Sequence, residues 1–193
     1  MGEPLPVELM NTVFADRDGV HDALASAAGL DAWLTALRPR FFPGLADLPS
    51  AGTRPLREFQ RLRDALRSLA ADVTDDTRLP RPLDLDTATD IVNSACAYAP
   101  TWSAMSSRTA RTRRSHHTFA EAALSDIAEQ AVDLFTGPER DQLRACHAPT
   151  CVLFFIRNHP RREWCSGSCG NRARVARHYR RHHSDADTPS GRS

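Results

Sequence analysis

Apolar residues recur at three- and four-residue steps from Leu56 to Val73 (Leu56, Phe59, Leu62, Leu66, Leu69, Val73), with arginines on the other face. That period lays one apolar stripe along a helix, and Pro55 suits its first turn. A second stripe of Phe119, Ala123, Ile127, Ala131, Leu134 and Phe135 follows the capping-box pair Thr118 and Glu121 and stops at Gly137. Two weaker helices are predicted. One runs from a cap at Asp31 through Trp33, Leu34 and Leu37 to a stop at Pro39, and the other covers 87–98 behind a cap at Asp86, with Ile91, Val92 and Ala95 inward. Thr136 and Glu139 repeat the capping-box spacing around Pro138, which predicts a short helix leading to Cys146. The run from Val7 to Phe14 suits strand or helix equally.

The polar stretches separate these elements. Residues 39–54 and 79–85 are punctuated by proline and glycine and read as connectors. Residues 100–117, rich in Ser, Thr and Arg, read as a polar β-hairpin or long loop. From Ser184 onward the chain is polar and is expected to be a disordered tail. No internal repeat is visible.

Four of the five cysteines lie in the last third, as two pairs: Cys146 with Cys151, and Cys165 with Cys169. Two pairs about fourteen residues apart suit one tetrahedral metal ion, usually zinc. The first pair, with Pro149 inside, makes a tight knuckle. Val152 to Ile156 reads as an apolar strand, and Asn158-His159-Pro160 as a turn that returns Arg161 to Trp164 as a second strand. Cys165 and Cys169, four apart, point one way on a helix's first turn, where free amides favour thiolate charge. Knuckle, hairpin and helix are the order of a treble-clef zinc finger. Disulfides and a catalytic metal are the alternatives. A reducing compartment disfavours the first, and four thiolates leave no open position for the second. The metal is therefore expected to be one structural zinc. It supplies on the order of 10–16 kcal/mol of apparent binding energy to a unit too small to hold itself. His147 and His159 read as surface or turn residues and Cys96 as a core cysteine.

Charge sharpens the picture. The chain has 193 residues and a net charge of +1, but residues 1–136 carry 14 Arg against 19 acids, and residues 137–193 carry 11 Arg against 5. An acidic body with a basic contact surface is implied. On a helix over 170–183, Arg174, Arg177, His178 and Arg181 fall on one side as a nucleic-acid-binding stripe, extended by Arg180 and His182. Val175, Ala176 and Tyr179 fall on the opposite side, expected to pack inward. Arg172 also lies inward and is expected to hold a carboxylate or backbone carbonyls.

The string Trp164-Cys165-Ser166-Gly167-Ser168-Cys169-Gly170-Asn171-Arg172-Ala173-Arg174 resembles the CGNR zinc-finger family of bacteria. Cys146 and Cys151 match that family's upstream pair, and Arg161 or Arg162 its arginine near the hairpin end. The likeness covers roughly residues 140–182. Asn11-Thr12, Asp22 to Leu24, and Leu30 to Leu34 resemble the ABATE domain that commonly precedes this finger. The second pair is C-x3-C here, where many relatives carry one residue more, which shifts the start of the helix. The resemblance implies a zinc-binding, DNA-binding regulator of stress-linked transcription, with Cys146, Cys151, Cys165 and Cys169 as ligands and an N-terminal domain that senses an effector or dimerises.

The expectation is thus a mainly α fold with a small β content. It comprises a multihelical ABATE-like domain over 1–136, a treble-clef-like finger over 137–183, and a tail over 184–193. The function expected is a zinc-containing, DNA-binding transcriptional regulator, with a possible homodimer and an unidentified effector. An adaptor for protein or RNA, braced by a structural zinc, is the alternative. No nucleophile–base spacing, phosphate loop or H-E-x-x-H pattern suggests an enzyme. No apolar run approaches the roughly 18 residues of a membrane span, and the N-terminus lacks a signal-peptide pattern. A cytoplasmic protein is expected.

Overall fold

The computed structural model describes residues 2–49 and 55–184. Six helices and three two-stranded antiparallel sheets follow one another among them. The ambiguous N-terminal run is both things in turn: helix α1 (Leu5–Met10), then strand β1 (Val13–Asp16), which pairs with β2 (Gly19–Asp22). Pro6 sits in the first turn of α1, where its missing N–H costs nothing. Helix α2 (Ala27–Leu37) starts earlier than expected, because Ser26 rather than Asp31 caps it, accepting from the Gly29 N–H.

Three longer helices make the body. Helix α3 (Leu56–Val73) keeps its predicted span. Helix α4 (Leu85–Cys96) is capped by Asp84, two residues before the predicted cap. Helix α5 (Phe119–Thr136) carries the full capping box of Thr118 and Glu121. Helix α3 packs on α4, α4 on α5, and α1 lies against both α3 and α5. The core they enclose includes Leu9, Leu30, Phe59, Leu62, Leu66, Leu124 and Ile127, all fully buried. Between α4 and α5 the polar stretch forms a hairpin, β3 (Trp102–Met105) with β4 (Arg111–Arg114).

The C-terminal part departs from expectation in its pairing. Pro138–Gln142 forms only a 3-10 turn, with no side-chain cap from Thr136. Strand β5 (Leu143–Ala145) follows it and pairs with β6 (Phe154–Ile156). Residues 161–164, predicted to be the partner of β6, form no strand. The cysteine knuckle is therefore the link between β5 and β6, not a unit in front of a hairpin. Helix α6 (Gly167–Ser184) closes the described chain. Ser184, the first residue of the expected tail, is instead the last of α6, and the rest of that tail lies outside the described residues.

Strand β6 divides two cores. Phe154 and Ile156, with Leu143 and Ala145 of β5, join the main core beneath α1 and α3. Phe155 points the other way, as alternation in a strand requires. It packs with Cys146, Ala148, Cys151 and Cys169 in a second small core bordered by Leu153, Trp164 and Cys165.

Candidate metal centre and basic helix

The four Sγ atoms of Cys146, Cys151, Cys165 and Cys169 lie within 4.8 Å of one another, and no disulfide joins them. Tetrahedral zinc with Zn–S of about 2.3 Å places its sulfurs about 3.8 Å apart. Cys151 and Cys165 stand at 3.8 Å, and Cys165 and Cys169 at 3.4 Å. The donor set fits one zinc ion. His147 is exposed and neither it nor His159 belongs to the cluster, as expected; Cys96 is half-buried on α4, away from it.

Charge within the cluster is shared. Hydrogen bonds from Cys151 and Cys165 draw the Cys146 thiol far below its ordinary value. Cys151 is pushed up to about 11 and Cys165 still higher, in each case first through the hydrogen bond to Cys146. Cys146, Cys151 and Cys165 therefore share protons and do not titrate one by one. A bound zinc ion would hold all four as thiolates, offset two of their four negative charges and cross-link the knuckle to the helix, with no open position for a substrate.

Local chemistry explains each residue of the C-G-N-R string. Ser166 caps α6, its Oγ accepting the Cys169 N–H at 3.2 Å, so that Cys169 lies in the first turn and Cys165 just outside it. A Cβ on Gly170 would stand 3.1 Å from the Trp164 ring, so glycine lets that ring lie against the helix. Asn171 accepts a hydrogen bond from Arg174 through its Oδ1. Arg172 donates from Nη2 to Cys169 Sγ at 3.0 Å and from Nη1 to Thr150 Oγ1 at 3.3 Å. Its inward position is as expected, but its partners are a thiolate ligand and a hydroxyl instead of a carboxylate or carbonyls. The Cys169 contact also raises the Arg172 pKa.

The body grips the finger through residues whose sequence gave little warning. Arg78 pairs with buried Asp76 and donates to the carbonyls of Cys146 (2.5 Å) and Cys151 (2.9 Å). Asp76 stays below its ordinary value, since hydrogen bonds from Arg78 outweigh its burial. Arg67 is buried and donates to the carbonyls of Met10 and Val152; burial first, then the charge of Arg78, bring it down to about 10. Both guanidiniums lie near the Phe154 ring, at 5.3 and 5.4 Å. Of the two candidate arginines at the hairpin end, Arg162 does the holding: it bonds Glu3, the Ile156 carbonyl and the Cys165 carbonyl. A cleft of about 690 Å³ remains between α1 and the finger, lined in part by Glu3, Asn11, Arg162 and Arg172.

Helix α6 turns a different face inward from the one expected. Cys169, Gly170 and Ala173 are buried and Ala176 half-buried, whereas Val175 is 54% and Tyr179 61% exposed. The phase of the helix is fixed by Cys169, which must face the other thiols. Val175, six residues on, then lies about 120° away. Arg174, Arg177, His178 and Arg181 are all exposed, and together they line one shallow groove of about 340 Å³.

The model of the ABATE family, described as a putative stress-induced transcription regulator, matches residues 3–138. The chain belongs to the ABATE family. A CGNR zinc finger matches residues 142–182, so the ABATE region runs up to the turn before β5, and the finger region spans β5, the knuckle, β6 and α6. No curated protein matches the chain. Within the described residues no helix is long and apolar enough to cross a membrane.

Proposed function

We propose that the protein is a DNA-binding transcriptional regulator of the cytoplasm, without enzymatic activity, in which the zinc site fixes α6 and α6 meets DNA. The observation that carries this reading is the exposed group of Arg174, Arg177, His178 and Arg181 on a helix anchored by two of the four cysteines. Phosphate contacts from such a face confer affinity, and arginine forks also read guanine edges in the major groove. The ABATE part senses an effector or dimerises, and the cleft beside Asn11 and Arg172 is a suitable place for an effector to act on the finger. A second reading, an adaptor that binds protein or RNA through α6, is favoured by the exposure of Val175 and Tyr179 on the same helix.

Genome-wide mapping of bound DNA in the native host tests the choice. The regulator reading expects discrete promoter-proximal sites that vanish in the Arg174→Ala, Arg177→Ala, Arg181→Ala variant. Uniform background from the intact protein contradicts it.

A further inference from the structure

A second basic element projects from the acidic body. Residues 101–120 contain four arginines, two histidines and no acid, while the rest of residues 1–136 holds ten arginines against nineteen acids. Residues 102–114 of this stretch form the β3–β4 hairpin, whose turn is closed by the Ser106 N–H on the Ala110 carbonyl. Its arginines divide by role. Arg113 faces the body, donating to Thr101 and, at 2.5 Å, to Glu129, with buried Asp126 3.6 Å away. Arg108, Arg111 and Arg114 are exposed, and no carboxylate among the described residues pairs with them.

The base of the hairpin is rigidly held and its outer part is not covered. Both the Arg113 N–H and the Thr112 hydroxyl bond the Pro43 carbonyl, at 2.9 and 2.8 Å. Gly44, at φ +86, lets that loop come so close that a Cβ would fall 2.0 Å from Thr112 Oγ1. Beyond this grip, Trp102 is 41% and Met105 73% exposed, and the Trp102 ring lies 4.8 Å from that of His116. A two-stranded ribbon is narrow enough to enter a major groove of about 12 Å.

We propose that the β3–β4 hairpin is a second duplex-DNA contact, with Arg108, Arg111 and Arg114 on phosphates. The inference rests on the reading of the protein as a DNA binder. Three phosphate contacts from the hairpin add about 2.7 to the slope of log affinity against log salt. The acidic remainder of the body repels the duplex, which leaves the basic hairpin as the part of the body that can approach it.

The test uses the zinc-loaded full chain and a fluorescent duplex of about 30 base pairs, titrated at several salt concentrations. Arg113 is left intact because it anchors the hairpin. In the Arg108→Ala, Arg111→Ala, Arg114→Ala variant, with unchanged zinc content and circular dichroism, affinity should fall at least tenfold at low salt. The salt slope should drop by between 2 and 3, as the counterion relation requires. Wild-type affinity and slope in that variant overturn the hairpin contact while leaving the α6 reading intact. Loss of self-association in place of DNA binding also overturns it, and marks the hairpin as a surface between two copies. Absence of DNA binding by the intact protein overturns both readings together.

Discussion

The side chain of Asn11 pairs with the backbone of Phe154 as a neighbouring strand would. Its Nδ2 donates to the Phe154 carbonyl and its Oδ1 accepts the Phe154 N–H, both at 2.9 Å. This joins the end of α1 to the strand that separates the two cores. Substitution of Asn11 by Leu leaves an N–H and a carbonyl of β6 unpaired in a half-buried place. The expected cost is about 2–4 kcal/mol, read as a lowered denaturant midpoint with unchanged slope. A loss below about 0.5 kcal/mol is the result that would count against the clamp.

Arg172 acts on the metal through Cys169. Arg172→Ala is expected to weaken zinc affinity 10- to 100-fold by the usual scale of such supporting contacts. Arg172→Lys should recover only part of it, since an ammonium cannot reach both Cys169 and Thr150 as a guanidinium does. Competition with a chromogenic chelator measures the change, and equal affinities in all three proteins would refute the role.

Removal of one ligand should unfold the finger selectively. In Cys165→Ser, amide hydrogen exchange is expected to accelerate across α6 and the knuckle. The Phe154 and Ile156 amides should stay protected, because Asn11 and Glu3 hold them and their side chains lie in the main core. Uniform loss of protection through the whole chain would contradict the separation of the two cores.

Asp126 predicts a pH dependence. Burial raises its pKa above 3.8, against hydrogen bonding from Gln130 and the charge of Arg113. The native state then binds a proton that the unfolded chain releases, so this residue's contribution to stability falls as pH rises from 3.8 to the raised native value. Asp126→Asn removes the titration. Wild type should lose stability relative to this variant across that window, in urea melts at successive pH values, and a constant difference would count against it.

Much of this arrangement is legible in the residues themselves. The stripes of α3 and α5 and the Thr118–Glu121 box are local signals, and the structure keeps them. The metal site is legible because thiolate spacing is a chemical constraint. The Thr136–Glu139 pattern suggests helix up to Cys146 and so hides the partner of β6, yet Leu143 and Ala145 are buried on either side of half-buried Arg144, as in a short strand. Apolar content points to Val175 and Tyr179 as the inner face of α6, whereas the geometry of Cys169 decides the phase and leaves both exposed. Asn11, Arg67 and Arg78 act over 57 to 143 residues of separation, and nothing near them in the chain marks their partners.

The most direct test of the account joins the metal to the helix. Zinc-loaded protein is mixed with duplex DNA in low salt, beside the Arg174→Ala, Arg177→Ala, Arg181→Ala variant and beside chelator-stripped protein. The account predicts one zinc per chain in both loaded proteins, a mobility shift by the intact protein, and none by the variant or the stripped chain. An unchanged shift by the variant, with its zinc in place, would contradict it.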